Sequence, residues 1–141
     1  MRRIVGVIGI GCFLSSGPII AQDFPNKPLR MIVPFAAGGA TDIVGRTIGQ
    51  QLSEAINRSV IVDNRPGAGG VLGTDLAAKS AADGYTLLLC STGPITISPS
   101  LLGKMPYDAL RDFTPVALVS TGSQVLVVNT QVAVKNLQGL I

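Results

Sequence analysis

Residues 29–56 read LRMIVPFAAGGATDIVGRTIGQQLSEAI, a short apolar run followed by a loop of small residues and an amphipathic segment. The apolar run at 29–34 lies between prolines and predicts a strand. In residues 41–56 apolar side chains recur every three or four positions, which is typical of a helix with one buried face. Thr41 is the predicted N-cap of this helix, and Asp42 in its first turn suits the positive end of the helix dipole.

The alternation of strand-like and helix-like segments continues along the chain. The further predictions, in chain order, are a strand at 60–63, a turn at 64–70, an Ala-rich helix at 72–82, a buried central strand at 85–90, a polar loop with one helical turn at 91–102, and strands at 116–119 and 125–128. Strands that alternate with helices favour an α/β fold with a mainly parallel sheet.

Composition excludes several classes of protein. The chain has 141 residues, of which 47% are hydrophobic and only 13% charged, so neither a disordered chain nor a coiled coil is expected. It contains no histidine, which excludes an imidazole base, a Ser-His-Asp triad and a His-ligated metal.

The first 21 residues predict a secretory signal peptide. Two arginines precede an apolar run at 4–14, and small residues lead to a cleavage position after Ala21. The run is about half of the ~20 residues that a membrane span needs, so no stable membrane insertion is expected after cleavage. Removal of both arginines leaves nine basic residues against eight acidic ones, and a nucleic-acid partner is therefore not expected. Cys90 is then the remaining cysteine, and we interpret it as a small buried apolar side chain.

The loop between the first strand and the first helix is the main candidate for a binding site. Small residues let a ligand approach the backbone, and the free amides of a helix N-terminus favour negative charge. A tight turn without any ligand is the alternative interpretation. The polar segment that follows the strand at 85–90 is a second candidate, with an ordinary polar turn as its alternative.

Other chemistry finds little support in the sequence. The glycine-rich stretch at 67–73 has Leu72 where a dinucleotide fingerprint needs its third glycine. No phosphate-binding loop, serine nucleophile motif or metal-ligand spacing is present, so we expect no cofactor, no metal and no enzymatic activity.

Five blocks of sequence carry a resemblance to a known family. They are residues 25–30, 32–42, 63–70, 83–88 and 107–117. In this order they resemble the Bug receptors, the extracytoplasmic substrate-binding proteins of tripartite tricarboxylate transporters. The resemblance implies a periplasmic receptor with two α/β lobes that closes around a small carboxylate and works with membrane permease subunits. A sensor module that presents its ligand to a membrane signalling partner is the alternative.

The resemblance also implies roles for individual residues. Carboxylate binding is assigned to Ala36, Ala37, Gly38, Gly39, Ala40 and Thr41, and the adjoining wall to Ser91, Thr92 and Gly93. Asp42 either orders the loop or contacts an amine or water, and Phe35 either covers the ligand or packs in the core. Arg65 is expected to stabilise its own loop.

The resemblance further implies the domain organisation. Residues 22–123 are expected to form the first lobe, with a hinge near 120–123, and residues 124–141 the start of a second lobe that is largely missing. The apolar end of the chain, at Leu140 and Ile141, also suggests a truncated copy.

Overall fold

The computed structural model describes residues 24–123, 125–134 and 136–141. The predicted signal peptide lies outside these residues. The elements in chain order are β1 (Leu29–Val33), α1 (Ala40–Ile56), β2 (Val60–Asn64), a 3₁₀ turn (Ala68–Gly70), α2 (Val71–Ala78), β3 (Thr86–Leu88), a π-helical turn (Gly93–Ile97), α3 (Ser98–Leu102) and α4 (Leu137–Leu140).

The three strands form one parallel sheet in the order β2-β1-β3. Leu29 of β1 is in register with Val60 of β2, and Arg30 of β1 with Thr86 of β3. The chain therefore moves to one side of β1 for its second strand and crosses to the other side for its third. This confirms the predicted α/β fold with a parallel sheet.

The two longer helices cover the sheet from opposite faces. Gly45 of α1 lies against the side chains of Met31 and Val33, which share one face of β1. Gly73 of α2 lies against Pro34, whose position belongs to the alternate face. The central strand is consequently buried from both sides, and Ile32 and Val33 have no exposed surface.

The segment before β1 is tied to the turn before β3. Tyr85 donates its hydroxyl to Asn26 Oδ1 and accepts the Asn26 backbone N–H, both at 2.9 Å. Lys27 Nζ lies 4.2 Å from the centre of the Tyr85 ring and 3.2 Å from Asp83 Oδ2. This N-terminal clamp, residues 24–28 with 83–85, lies at the amino-terminal edge of the sheet.

The structure corrects the predicted start of the first helix. Gly39 is the N-cap, the helix begins at Ala40, and no side chain caps it, so Thr41 is not the N-cap. The second helix ends earlier than predicted, at Ala78, where the N–H of Lys79 closes the last turn.

Two predictions for the middle of the chain are also wrong. The strand predicted at 85–90 spans Thr86–Leu88, and it is a half-buried edge strand because no other described strand pairs with its outer side. The predicted polar loop at 91–100 is largely helical. Pro94 and Pro99 both lie at the starts of helical turns, where a missing N–H costs nothing.

The last two predicted strands do not form in the described residues. Residues 116–119 and 125–128 pair with no described strand, and Val116, Val125 and Val127 are about four-fifths exposed. A β-strand needs a neighbour to take its backbone hydrogen bonds, and apolar content alone does not provide one.

Candidate functional site

The loops that follow the three strands meet at the carboxyl-terminal edge of the sheet. In an open parallel sheet, ligands bind at the position where the chain switches from one side of a strand to the other. Here that position lies between the ends of β1 and β3. The Leu89 N–H donates to Ile32 O at 3.0 Å and holds the two ends together. The structure therefore brings both predicted binding segments, 35–42 and 91–93, to one edge.

The β1–α1 loop, residues 34–39, exposes backbone donors at this edge. The Gly38 N–H donates to Asp42 Oδ2 at 2.7 Å, and the Gly39 N–H makes a long bond of 3.4 Å to Ala36 O. The remaining donors of the loop and the first helical turn find no acceptor within the described part of the chain. Four of them are the N–H groups of Ala36, Ala37, Ala40 and Thr41, and the others are those of Phe35 and Asp42.

The location of these four N–H groups suits an anion. Ala36, Ala37 and Ala40 are exposed, and Thr41 is partly exposed. They lie at the N-terminus of a 17-residue helix, where the helix dipole is positive. Gly38 has a φ of +83°, a conformation that few other residues adopt, and this lets the chain turn between the two pairs of donors.

Asp42 lies beneath this loop and is only 2% exposed. Its carboxylate accepts from Arg46 Nε at 3.0 Å, from the Gly38 N–H, and from Asn64 Nδ2 at 2.9 Å. These bonds lower the pKa of Asp42 to about 2, and the bond with Arg46 has the largest effect. Both carboxylate oxygens of Asp42 have partners within the chain, one of them the loop N–H of Gly38, and its role in ordering the loop stays a prediction.

Phe35 packs between the loops. A Cβ atom added to Gly70 would lie 3.2 Å from Phe35 Cζ and 3.2 Å from Pro94 Cγ, so both rings lie beside the end of the 3₁₀ turn. Tyr107 donates its hydroxyl to Pro94 O at 2.6 Å and so anchors the start of the π-helical turn. Phe35 is partly exposed and is not among the buried apolar residues, so both of its predicted roles, covering the ligand and packing in the core, stay predictions.

The second predicted segment, residues 91–93, follows the carboxyl-terminal end of β3. Ser91 and Thr92 are exposed, and Gly93, partly exposed, begins the π-helical turn. These residues follow β3 at the same edge of the sheet as the β1–α1 loop, and their part in binding stays a prediction.

Two other residues singled out in the sequence have structural partners. Arg65 Nε lies 2.8 Å from Asp63 Oδ1, a contact that ties the start of its loop to the end of β2. Cys90 is partly buried, and burial raises the pKa of its thiol, which makes it a poor nucleophile.

Sequence reasoning missed two residues of the network around Asp42. Arg46 follows Asp42 by four positions, a spacing that puts both side chains on one helix face and could have indicated their pairing. Asn64 is 22 residues from Asp42 and 29 from Phe35, and no local pattern links them.

A parallel α/β unit with exposed amides at its switch point is the architecture of one lobe of a periplasmic solute-binding protein. Solved structures support this class. MatC from Rhodopseudomonas palustris with bound malate superposes with a TM-score of 0.65 and 38% identity, over 68% of this chain and 33% of that one. A periplasmic transporter superposes with a TM-score of 0.60 and 38% identity, over 62% of this chain and 30% of its own.

Sequence comparison defines the family. The model for the receptor of the tripartite tricarboxylate transporter family matches residues 44–141. Protein BugT of Bordetella pertussis is 44% identical over the whole of this chain and 44% of its own length. A UPF0065 protein of Pseudomonas sp. strain P51 is 42% identical over 90% of this chain and 38% of its own length. The chain belongs to the tripartite tricarboxylate transporter receptor family, as its sequence blocks predicted.

The chain spans about two-fifths of the length of these curated relatives and about a third of the solved structures. Members of the family are substrate-binding receptors. Within the described ranges, no helix combines the length and apolar character that a bilayer crossing needs.

Proposed function

We propose that this chain provides a carboxylate-binding lobe of a periplasmic solute receptor, and that its backbone amides hold the ligand. The observation that carries the proposal is the set of N–H groups of Ala36, Ala37, Ala40 and Thr41 that lack an acceptor in the described chain. They point a positive potential at the switch point of the sheet, and no charged side chain is needed to bind the anion.

Two further observations support a small organic acid as the ligand. The matching MatC structure holds malate, a dicarboxylate, and the family model describes the receptor of a tricarboxylate transporter. In this proposal the signal peptide at 1–21 exports the chain, and membrane permease subunits receive the ligand. A single lobe buries only part of a small ligand, so we expect a dissociation constant on the order of millimolar.

The binding experiment is a titration of the ¹⁵N-labelled chain with malate, followed by amide chemical shifts. We expect saturable shifts at Ala36, Ala37, Ala40 and Thr41, with smaller ones at 91–93. Malamide, in which both carboxylates are replaced by neutral amides, should leave these signals in place. If malate, citrate and glutarate all leave the four amides unshifted, the proposal is wrong.

A single substitution can remove one donor without breaking the helix. Ala40 is the first residue of α1, where proline is well tolerated, and Gly39 before it has φ −76° and ψ 167°, close to the conformation that a following proline favours. Ala40→Pro should weaken malate binding roughly tenfold, since a hydrogen bond to a charged group contributes about 1.5–3 kcal/mol. Ala40→Ser keeps the N–H and is the matched control.

Export has its own test. Expression of the full chain with an intact secretion system should yield a periplasmic product whose mass corresponds to a new N-terminus at Gln22, and a cytoplasmic, uncleaved product would contradict this part of the proposal.

A further inference from the structure

Three side chains from different parts of the fold meet beneath the β1–α1 loop. Asp42 comes from the first turn of α1, Arg46 from the next turn, and Asn64 from the last position of β2. The Asp42 side chain is buried, whereas that of Arg46 is about half exposed. The exposed amides described above belong to the backbone directly over this group.

Asn64 makes three contacts that use each of its polar functions. Its amide nitrogen donates to Phe35 O at 3.1 Å and to Asp42 Oδ1 at 2.9 Å. Its carbonyl oxygen Oδ1 accepts from Arg46 Nη2 at 3.1 Å. Of the standard side chains of this length, only asparagine has two N–H hydrogens and a carbonyl acceptor.

These contacts fix the two ends of a short backbone segment. Asn64 holds the carbonyl of Phe35, and Asp42 holds the N–H of Gly38. The Ala36 N–H belongs to the peptide group whose carbonyl Asn64 holds, so it points away from Asn64. The Ala37 N–H belongs to the single peptide group between the two fixed ones, and its orientation is set by the contacts on either side.

The same network explains how an acidic residue, Asp42, can lie directly beneath a site proposed to bind an anion. A free carboxylate at position 42 would repel a bound carboxylate, but Arg46 pairs with it and Asn64 and Gly38 satisfy its oxygens. The buried charge is therefore balanced inside the protein and does not oppose an anion held by the exposed N–H groups of the loop.

We propose that Asn64 and Arg46 are positioning residues: they hold Asp42 and Phe35 so that the amides of the β1–α1 loop are set to receive a carboxylate. This inference rests on the proposed function, and neither residue is assigned any direct contact with the ligand.

The test compares malate binding by the full chain and by an Asn64→Asp variant, using the amide titration above. The substitution keeps the shape of the side chain but removes both donors and places a second carboxylate against Asp42. We expect about tenfold weaker binding, which equals ~1.4 kcal/mol, and an altered Gly38 amide proton shift before malate is added. Amides of β1 and β2 such as Met31 and Val62 should keep their shifts, which shows that the sheet is intact.

Asn129→Asp is the matched control, because it adds the same charge in an exposed segment where Oδ1 can still accept the Gln131 N–H. Its affinity for malate should equal that of the unmodified chain. Arg46→Gln is the second variant, in case Asn64→Asp does not fold. It removes the guanidinium from a half-exposed helix position, and we expect a weakening of several-fold with the sheet amides unchanged.

The outcomes separate the two proposals. Equal malate affinity in the unmodified chain and in a folded Asn64→Asp or Arg46→Gln variant would overturn the positioning role and leave the proposed function standing. A lowered melting temperature with unchanged affinity below it would show a purely structural role and would also overturn the inference. Failure of the unmodified chain to bind any carboxylate would instead remove the proposed function itself.

Discussion

Gly73 shows how a single residue sets the spacing between a helix and the sheet. A Cβ atom at this position would meet the carbonyl oxygen of Arg65 and lie 2.8 Å from both Cα and Cβ of Pro34. These neighbours are backbone or a rigid ring, so they have no rotamer that would open the space. The close approach of α2 to the end of β1, and with it the placement of the β1–α1 loop, depends on glycine here.

Gly73→Ala should therefore destabilise the chain by about 1–3 kcal/mol, the usual cost of overpacking a tight site. The measurement is the free energy of unfolding in urea. Gly122→Ala is the control, because an added Cβ there meets nothing within 4 Å. A Gly73→Ala variant as stable as the control would show that α2 can move away from β1 at no cost.

Asp42 gives a prediction about acid stability. Its pKa in the folded chain is about 2, against 3.8 when unperturbed, because Arg46, Gly38 and Asn64 stabilise the charged form. Its stabilising contribution is fully present above about pH 4 and is lost as the pH falls toward 2. Asp42→Asn should flatten the fall in unfolding free energy between pH 4 and pH 2.

Urea unfolding at several pH values measures this slope. Glu54→Gln removes a carboxylate from an exposed position of the same helix and should leave the slope close to that of the unmodified chain. An unchanged slope in Asp42→Asn would mean that the network does not stabilise the ionised form.

Residue-scale reasoning from the sequence identified the candidate loop but not the residues that support it. Small residues before an amphipathic helix indicated the loop and its free amides, because both follow from local chemistry. Asn64 could not be found in the same way, since its partners are brought near only by the pairing of β1 with β2.

At the scale of elements, α1 packs on the sheet through two glycines with different amounts of room. A Cβ at Gly45 would lie 3.1 Å from Leu89 Cδ2 and 3.2 Å from Val33 Cγ2. A Cβ at Gly49 would lie 3.4 Å from Val62 Cγ2, an ordinary contact. Glycine weakens a helix interior, so replacement is favourable only where the added methyl group fits.

Gly49→Ala should stabilise the chain by about 0.5–1 kcal/mol through helix propensity. Gly45→Ala should not show this gain, because Leu89 and Val33 must move to admit the methyl group. Thermal unfolding of the two variants side by side tests the difference, and equal gains would show that α1 does not press on the sheet at Gly45.

Whether a segment forms a helix or a strand was predictable where one local pattern dominates. The position of a strand within the sheet was not. Sequence patterns correctly predicted β1, β2 and α1. No predicted end of these three elements differs from the observed end by more than one residue. The prolines at 94 and 99 argued for a loop, yet both begin helical turns. The leucine-rich run of β3 suggested a central strand, but which strand is central depends on the crossover and not on hydrophobicity.

At the scale of the whole molecule, the described chain divides into a packed part and an open part. Four of the six buried apolar residues, Leu29, Met31, Ile32 and Val33, form β1 itself, and the other two are Val71, at the start of α2, and Tyr107, which is bonded to Pro94. Residues 116–123 and 125–129 form no strand or helix and expose most of their apolar side chains. Local stability follows burial and backbone pairing, so the two parts should open independently.

Hydrogen exchange can measure this division. Amides of β1 and β2 should be strongly protected, whereas amides at 116–119 and 125–128 should exchange at rates near those of an unfolded peptide. Strong protection at 116–119 would contradict the exposed arrangement and would favour the strand that its valine-rich sequence predicted.

The N-terminal clamp on Tyr85 has a practical consequence for anyone who immobilises this protein. Residues 24–28 are bonded at the amino-terminal edge of the sheet. The five residues of β1 put roughly 16 Å between that edge and the β1–α1 loop. Attachment to a sensor surface through a group placed before Phe24 would thus fix the molecule at the amino-terminal edge of its sheet. The free amides of the β1–α1 loop, at the carboxyl-terminal edge, would then face the solution and be accessible to an injected ligand.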